Sequence, residues 1–403
     1  MTLTSAEKNA AIDQLLNRGV AEVIVREELE EKLRGDRSLR IKLGVDPTRP
    51  DIHLGHYVAF RKLREFQRLG HVVVIIIGDW TARIGDPSGR SVQRQMMTEE
   101  EVRFNAQTYL DQLSKVVDVE QAEVVWQSEW FGAFTLEDVI RLTSKYTVAQ
   151  MLTREDFHTR YENGSPIAVT ELLYPLLQAY DSVAIRSDVE MGGTDQTFNL
   201  LVGRDIQRES GQEPQNIFTV PILVGTDGHQ KMSKSVDNYI AVNDTPEDMY
   251  GKIMSIPDEP MGEYFRLLTP VPLEEIDQML ADAESGKVNP RDSKARLAKM
   301  IVEDLHSPEE AERAEAAFDS VYRQHQLPDD MPEVTIESGS GMLSVLIAAG
   351  VATSNREARR LVEQGGARID GERITDPEAK VELQQPVVLQ AGRRRFVRLV
   401  PAG

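Results

Sequence analysis

The residues best suited to chemistry stand in three short runs. The first is His53-Leu54-Gly55-His56, two imidazoles around a glycine where a helix is expected to begin. A helix N-terminus offers unpaired N–H groups and the positive end of a dipole. Gly55 would let a nucleotide lie against the backbone, and His53 could hydrogen-bond phosphate oxygens. Taken alone, the run is more simply two helix-surface histidines, or a metal pair. The metal version lacks a third ligand in a chain without cysteine. The second run is Lys231-Met232-Ser233-Lys234-Ser235, whose two ammonium groups can clamp phosphate as point charges. Gly225, Asp227 and Gly228 before it predict a flexible loop; a solvated basic loop has the same composition. The third run is Tyr174-Pro175-Leu176-Leu177-Gln178-Ala179-Tyr180-Asp181. On a helix Tyr174, Gln178 and Asp181 fall at i, i+4 and i+7 and project from one face. Asp181 can accept a phenol hydrogen, and Tyr174 and Gln178 can meet an ammonium; an amphipathic helix facing water has this spacing too.

The elements that hold these runs can be read around them. Residues 1 to about 38 read as acidic helices, with Leu15, Leu16, Val20, Val23 and Ile24 at helical spacing. Leu39 to Val45 alternates as a strand and Asp46-Pro47-Thr48 turns; a helix is predicted from about His53 to Leu69, closed by Gly70-His71. Val72 to Ile77 is apolar and β-branched, a buried strand. Strand, helix, strand is a βαβ unit, which implies a parallel sheet covered by helices. Ligands in such sheets bind beyond the carboxyl ends of the strands. Those are the turns after Val45 and after Ile77, the second running through Gly78-Asp79-Trp80 to Gly85-Asp86-Pro87-Ser88-Gly89-Arg90. Residues 135 to 180 read as mostly helical, 183 to 192 and 217 to 224 as strands, and Thr245 to about Gln324 as charged helices.

The pairing of His-x-Gly-His with Lys-Met-Ser-Lys-Ser, in this order, resembles the class I aminoacyl-tRNA synthetases. That resemblance implies a Rossmann catalytic domain, ATP with magnesium, and an aminoacyl adenylate. It extends over nearly the whole chain to the tyrosyl-tRNA synthetases of bacterial type, through Gly44-Val45-Asp46-Pro47-Thr48, Gly85-Asp86-Pro87-Ser88-Gly89, Gln178-Ala179-Tyr180-Asp181 and Gly192-Gly193-Thr194-Asp195-Gln196. By that family's pattern Asp181 binds the substrate hydroxyl, Asp86, Tyr174 and Gln178 the α-ammonium, and Gln196 lies beside the carboxylate. Asp195 holds the ribose, and Asp46, Gly55 and Gly192 border the adenylate. Thr48 and His53 contact the transferring phosphates and His56 packs near the ribose. Lys231, Lys234 and Ser235 form a mobile pyrophosphate clamp, with Arg90 and Arg94 as further cations. Many family members carry a tyrosine where this chain has Lys42, so the second partner of the substrate hydroxyl is left open. Magnesium is expected to ride on ATP rather than on a protein metal site.

Bulk properties set the frame. A chain of 403 residues, 40% apolar and 28% charged, suggests two or three globular domains. The absence of cysteine rules out disulfides and fits a reducing cytoplasm. The opening residues have no basic segment followed by an apolar one, so no signal peptide is expected, and Val72 to Ile77 is too short to cross a membrane. Net charge is −20, yet from Ser340 onward ten Arg and Lys face seven Asp and Glu, a net +3. A mildly basic terminal module on an acidic body points to one localised anion-facing surface. In it Ser354 caps a helix, with Glu357 three residues on; Arg356, Arg359 and Arg360 share a stripe, and Arg393, Arg394 and Arg395 add charge. A salt-bridged helix surface has the same residues; the order of elements resembles a small ribosomal-protein-type RNA-binding domain, which implies contact with the long arm of tRNA(Tyr).

The expected plan is a Rossmann-type α/β catalytic domain over 1–230 with a helical dimer insertion near 125–165. The signature loop and a helical anticodon-side domain follow over 231–325, then a linker over 326–340 and the RNA-binding module over 341–403. Tyrosine, ATP and tRNA(Tyr) are the expected partners, in a cytoplasmic homodimer. The alternatives are a tryptophanyl enzyme, a nucleotidylyltransferase, and a non-catalytic RNA-binding relative.

Overall fold

The computed structural model describes residues 4–48, 52–87, 97–323, 331–383, 385–392 and 395–402. The chain forms two compact units, Met1–Ala311 and Glu312–Gly403. The first is built on a six-stranded sheet: β1 (Glu22–Ile24), β2 (Arg40–Val45), β3 (Val72–Ile77), β4 (Glu123–Trp126), β5 (Val189–Gly193) and β6 (Asn216–Val220). The order is β1-β6-β5-β2-β3-β4, and all neighbours are parallel except β1 and β6. This is the Rossmann-type α/β class expected from the strand–helix–strand pattern. Helices cover both faces of a parallel sheet, which is why Val73 through Ile77 are all buried.

The expected helix after the first turn spans Leu54–Arg68, with His53 as its N-cap. Three boundaries differ from the sequence reading. Val23 and Ile24 belong to β1, because Gly19, at φ +61, breaks the first helix and the β-branched pair then joins the edge of β6. The helix carrying Tyr174 runs over Val169–Ile185, with Pro175 inside it, so β5 starts only at Val189. β6 stops at Val220, before Pro221, which has no amide hydrogen to continue the ladder.

From β2 the chain adds β3 and β4 to one side and β5 and β6 to the other, so the order switches between β2 and β5. These two strands pair at only two positions, Ile41 with Val189 and Lys42 with Glu190. Past them the strands part and a crevice opens between their carboxyl ends, where ligands of open α/β sheets bind. At the last paired position, Lys42 Nζ lies 2.7 Å from Glu190 Oε1 with both side chains buried. Lys42 also donates to the Gln178 carbonyl and the Ser182 hydroxyl, each at 2.8 Å. Glu190 accepts from Gln178 Nε2 (3.2 Å), Ser182 Oγ (3.1 Å) and Gln215 Nε2.

The second unit has a five-stranded sheet from β7 (Glu333–Ile336), β9 (Ala367–Ile369), β10 (Glu372–Ile374), β12 (Val387–Ala391) and β13 (Arg395–Pro401), in the order β10-β9-β12-β13-β7. A small ladder pairs β8 (Ser340–Gly341) with β11 (Lys380–Val381). Helices Met342–Ala348 and Asn355–Glu363 pack Met342, Val345, Leu346, Ala358 and Val362 against Leu389 and Leu399. Of the stretch expected as a linker, 326–330 lies outside the described residues, and Glu333–Ile336 is a strand.

Removing one member of a buried ion pair leaves the other uncompensated, at a cost of about 3–5 kcal/mol. Lys42→Met should therefore lower the denaturant midpoint of the first unit strongly, and adding Glu190→Gln should recover part of the loss. Equal midpoints for parent and single variant would mean that the pair stabilises nothing.

Candidate functional site

A cavity of about 410 Å³ opens at the switch point. Its walls include Gly44, Val45 and Asp46 from the end of β2, His53, Gly55 and His56 from the helix start, and Gly192, Gly193, Asp195 and Gln196 from the end of β5. Asp86, Gln127, Tyr174, Gln178, Asp181 and Lys231 complete it. Twelve of the residues singled out from sequence thus share one cavity. Thr48, Lys234 and Ser235 are not among its lining residues. Ser88, Gly89, Arg90 and Arg94 lie outside the described residues.

The two histidines are set by the helix start. His53 Nδ1 accepts the Gly55 N–H at 3.2 Å, and His56 Nδ1 accepts the His53 N–H at 3.3 Å. Each neutral imidazole then carries its proton on Nε2 and offers it as a donor. A side chain at Gly55 would lie 2.9 Å from His53 Nδ1, so glycine is what lets the ring fold back over the helix end. Burial pushes the His53 pKa down to about 2, helped by the charges of His56, Lys234 and Lys231. His56 falls to about 4, again mainly through burial.

Lys231 spans to Asp195, Nζ to Oδ2 at 2.5 Å. The segment before it is braced rather than open. Val224 bridges to Lys231, the Met232 N–H donates to the Leu223 carbonyl at 2.9 Å, and Asn238 ties Ser233 (2.8 Å) to Asp227 (2.8 Å). A flexible loop was the expectation; Asn238, fourteen residues past Val224 and buried, is the anchor that glycine content alone does not reveal.

The Tyr174, Gln178 and Asp181 face does point into the cavity. Asp181 is 2% exposed and accepts from Gln127 Nε2 (2.8 Å) and Trp130 Nε1 (3.2 Å). Burial raises its pKa to about 7, while the charge of Lys42 and those two hydrogen bonds pull it back. Gln127 is held in turn, because its Oε1 accepts the Thr81 N–H at 3.0 Å. Tyr174 donates to Asp46 Oδ2 at 2.8 Å, and Thr81 Oγ1 donates to Asp46 Oδ1 at 2.6 Å. Burial raises the Tyr174 pKa, so it stays a donor. No side chain fits at Gly78, since a Cβ would collide with the Asp46 carboxylate and Thr81 Oγ1. Gln127, Trp130 and Thr81 escaped the sequence reading: they meet Asp181 and Asp46 across long stretches of chain, with no local spacing to mark them.

In the second unit Arg356, Arg359 and Arg360 lie exposed on the Asn355–Glu363 helix. Ser354 caps it as expected, accepting from the Glu357 N–H at 3.3 Å. The Glu357 carboxylate reaches Thr353 instead of closing back on Ser354. Arg359 pairs with Glu378 at 2.6 Å, and Arg395 donates to the Val351 carbonyl at 3.2 Å. Arg393 and Arg394 lie outside the described residues. Among the described residues no helix is long and apolar enough to cross a membrane.

Because both imidazoles are held neutral, neither His53 nor His56 should titrate between pH 8 and 5.5. Imidazole nitrogen shifts measured by NMR across that range test this; a midpoint near 6.5 for either ring would refute the burial account.

Comparison with known proteins fits this geometry. The family described as tRNA synthetases class I (W and Y) matches residues 34–323, and the tyrosine--tRNA ligase SYY-like C-terminal domain matches 324–398. The tyrosine--tRNA ligase of Dehalococcoides mccartyi (strain CBDB1) is 54% identical over 391 residues, covering 96% of this chain and 98% of its own. That of Thermotoga maritima is 54% identical over 386 residues, 96% of each chain. The crystal structure of tyrosyl-tRNA synthetase complexed with L-tyrosine from Archaeoglobus fulgidus covers 77% of this chain and 100% of its own, at 25% identity and a TM-score of 0.62. With identity this high over nearly the full length, and with a tyrosine-specific match at its C-terminal end, the chain belongs to the tyrosine--tRNA ligases, within the class I aminoacyl-tRNA synthetases.

Proposed function

We infer that the chain activates tyrosine with ATP and transfers it to tRNA(Tyr). The tyrosine carboxylate attacks the α-phosphorus of ATP, pyrophosphate leaves, and tyrosyl-AMP forms. A ribose hydroxyl at the 3′ end of the tRNA then attacks the tyrosyl carbonyl, and AMP leaves. The observation that carries this reading is the buried Asp181 carboxylate in the same cavity as His53, His56 and Lys231. A phenol can donate to Asp181; a phenyl ring would leave that buried carboxylate with only its bonds from Gln127 and Trp130, one donor short of what the phenol supplies. The tyrosine-specific C-terminal match favours this over a tryptophan-activating enzyme, and the intact His53, His56 and Lys231 disfavour a non-catalytic role.

Within this reading Asp86, Tyr174 and Gln178 serve the substrate ammonium and Gln196 the carboxylate. Asp46, Gly55, Gly192 and Asp195 border the adenosine. The neutral His53 imidazole donates from Nε2 to the transferring phosphates beside Thr48, His56 packs near the ribose, and Lys231, Lys234 and Ser235 meet the departing pyrophosphate. These groups aim donors and positive charge where charge develops, and the enzyme forms no covalent bond to the substrate. Magnesium arrives with ATP. After the signature loop, residues 245–325 act as the anticodon-side region, and the arginines of the terminal unit meet tRNA phosphates. The similarity to bacterial tyrosine--tRNA ligases supports a cytoplasmic site of action.

A homodimer is supported by exposed apolar side chains in and just after the insertion: Leu136, Ile140, Val148, Tyr161 and Val169 are each more than half exposed. Apolar surface of this kind is what a partner subunit would cover. Light scattering should give twice the 45.3 kDa chain mass, and Leu136→Glu with Ile140→Glu should halve it; a parent that runs as a monomer at micromolar concentration overturns the dimer.

The activity itself is tested by ATP–pyrophosphate exchange with tyrosine, tryptophan and phenylalanine. Tyrosine alone should drive it, and Asp181→Ala should lose the rejection of phenylalanine. Because Asp181 is raised to about 7, it takes up a proton as pH falls through that value and accepts the phenol hydrogen less well. kcat/KM for tyrosine should therefore drop as pH falls below about 7, and Asp181→Asn should flatten the profile. An unchanged profile in that variant removes Asp181 from the pocket assignment.

A further inference from the structure

Behind the cavity wall, four side chains close a hydrogen-bonded ring. Arg154 Nη2 donates to Asp86 Oδ1 (3.3 Å), and Asp86 Oδ2 accepts from Gln196 Nε2 (2.7 Å). Gln196 Oε1 accepts from Asn199 Nδ2 (2.9 Å), and Asn199 Oδ1 accepts from Arg154 Nη1 (3.1 Å). Asp86 and Gln196 line the cavity, whereas Arg154 and Asn199 do not; they are 5% and 1% exposed. The ring therefore has a front that a ligand can touch and a buried back that holds the front in place.

Arg154 is built for that task. It caps the Glu155–Glu162 helix, and its backbone is fixed by the Met151 carbonyl behind and the His158 N–H ahead. Its Nε donates to Asp156 Oδ1 at 2.8 Å, and its guanidinium lies 5.2 Å from the Phe157 ring centre. Three edges of one planar fork thus go to three partners, a geometry that a lysine ammonium on a flexible stem cannot copy.

We propose that Arg154 is a positioning residue for the amino-acid subsite, holding the Asp86 carboxylate and, through Asn199, the Gln196 amide in the orientation that receives the substrate ammonium and carboxylate. This rests on the reading that Asp86 and Gln196 serve tyrosine. Arg154 itself touches no substrate. Its effect should fall on the binding of the amino acid and leave ATP largely alone.

The test is exchange kinetics on the full-length protein. Arg154→Met should raise the KM for tyrosine by about tenfold or more, the scale of one lost charge-assisted hydrogen bond. The KM for ATP and kcat should change by less than about threefold. Arg154→Lys should recover only part of the loss, since one ammonium cannot bridge Asp86 and Asn199 together. In an Asp86→Ala background, Arg154→Met should add less than it costs alone, because one of its two routes to the substrate is already cut. Full additivity there, or a parent-like tyrosine KM in folded Arg154→Met, overturns the proposal. Should Arg154→Met fail to fold by circular dichroism, Asn199→Ala opens the ring from its other side and must raise the tyrosine KM in the same way; an unchanged KM overturns the proposal as well. A parent that gives no tyrosine-dependent exchange would instead refute the functional reading, so the two failures are distinct.

Discussion

A salt bridge with no access to water sits where the sheet changes direction, and the site depends on it. Lys42 and Glu190 face each other at the last position where β2 and β5 still pair. Above them the strands separate, and the gap becomes the cavity. The same two charges hold the underside of the cavity wall, since Lys42 grips the Gln178 carbonyl and Glu190 the Gln178 amide. One helix residue is thus fixed by main chain and side chain together. In energetic terms such a pair is seldom a large net gain, because both ions lose their water. What it supplies is a defined geometry at a point where the sheet's own hydrogen bonds stop.

From that base the walls are laid in succession. Tyr174 and Asp181 lie on the same helix as Gln178, one turn before it and one after, so fixing Gln178 sets the height of both. Tyr174 then meets Asp46 at the end of β2, Asp46 meets Thr81, Thr81 meets Gln127, and Gln127 meets Asp181. The polar lining is a continuous chain of donors and acceptors rather than a scatter of groups. Tyr174, Thr81, Gln127 and Asp181 are buried and Asp46 half-buried, so each needs a partner, and each finds it in the next.

This explains what could be read from sequence. The apolar β-branched run of β3, the helix from His53 and the i, i+4, i+7 face of Tyr174, Gln178 and Asp181 are local patterns, set by one element's periodicity. They appear in the structure nearly as spaced. The partners of those residues are another matter. Gln127 lies 54 residues before Asp181, and Lys42 lies 136 residues before Gln178; nothing near them in the chain announces the contact. Lys42, read only as a departure from a family pattern, proved to be part of the foundation. The short strand β1 was misread for a related reason: three residues have no period, and only the edge of β6 makes them a strand. Asn199 is the exception, standing three residues after Gln196 on the same turn, where a closer look at spacing would have found it.

The contact between Lys231 and Asp195 has a consequence for how the site fills. The Lys231 ammonium already holds an anion, one supplied by the protein itself, the Asp195 carboxylate. An anion that is to bind this ammonium must therefore displace the carboxylate, one counter-ion exchanged for another. Both side chains are partly exposed, and a pair of this kind contributes about 1 kcal/mol at most. The arm is parked under a weak latch. A latch this weak decides which charge the ammonium meets first without fixing it there, so a competing anion of higher charge can take its place.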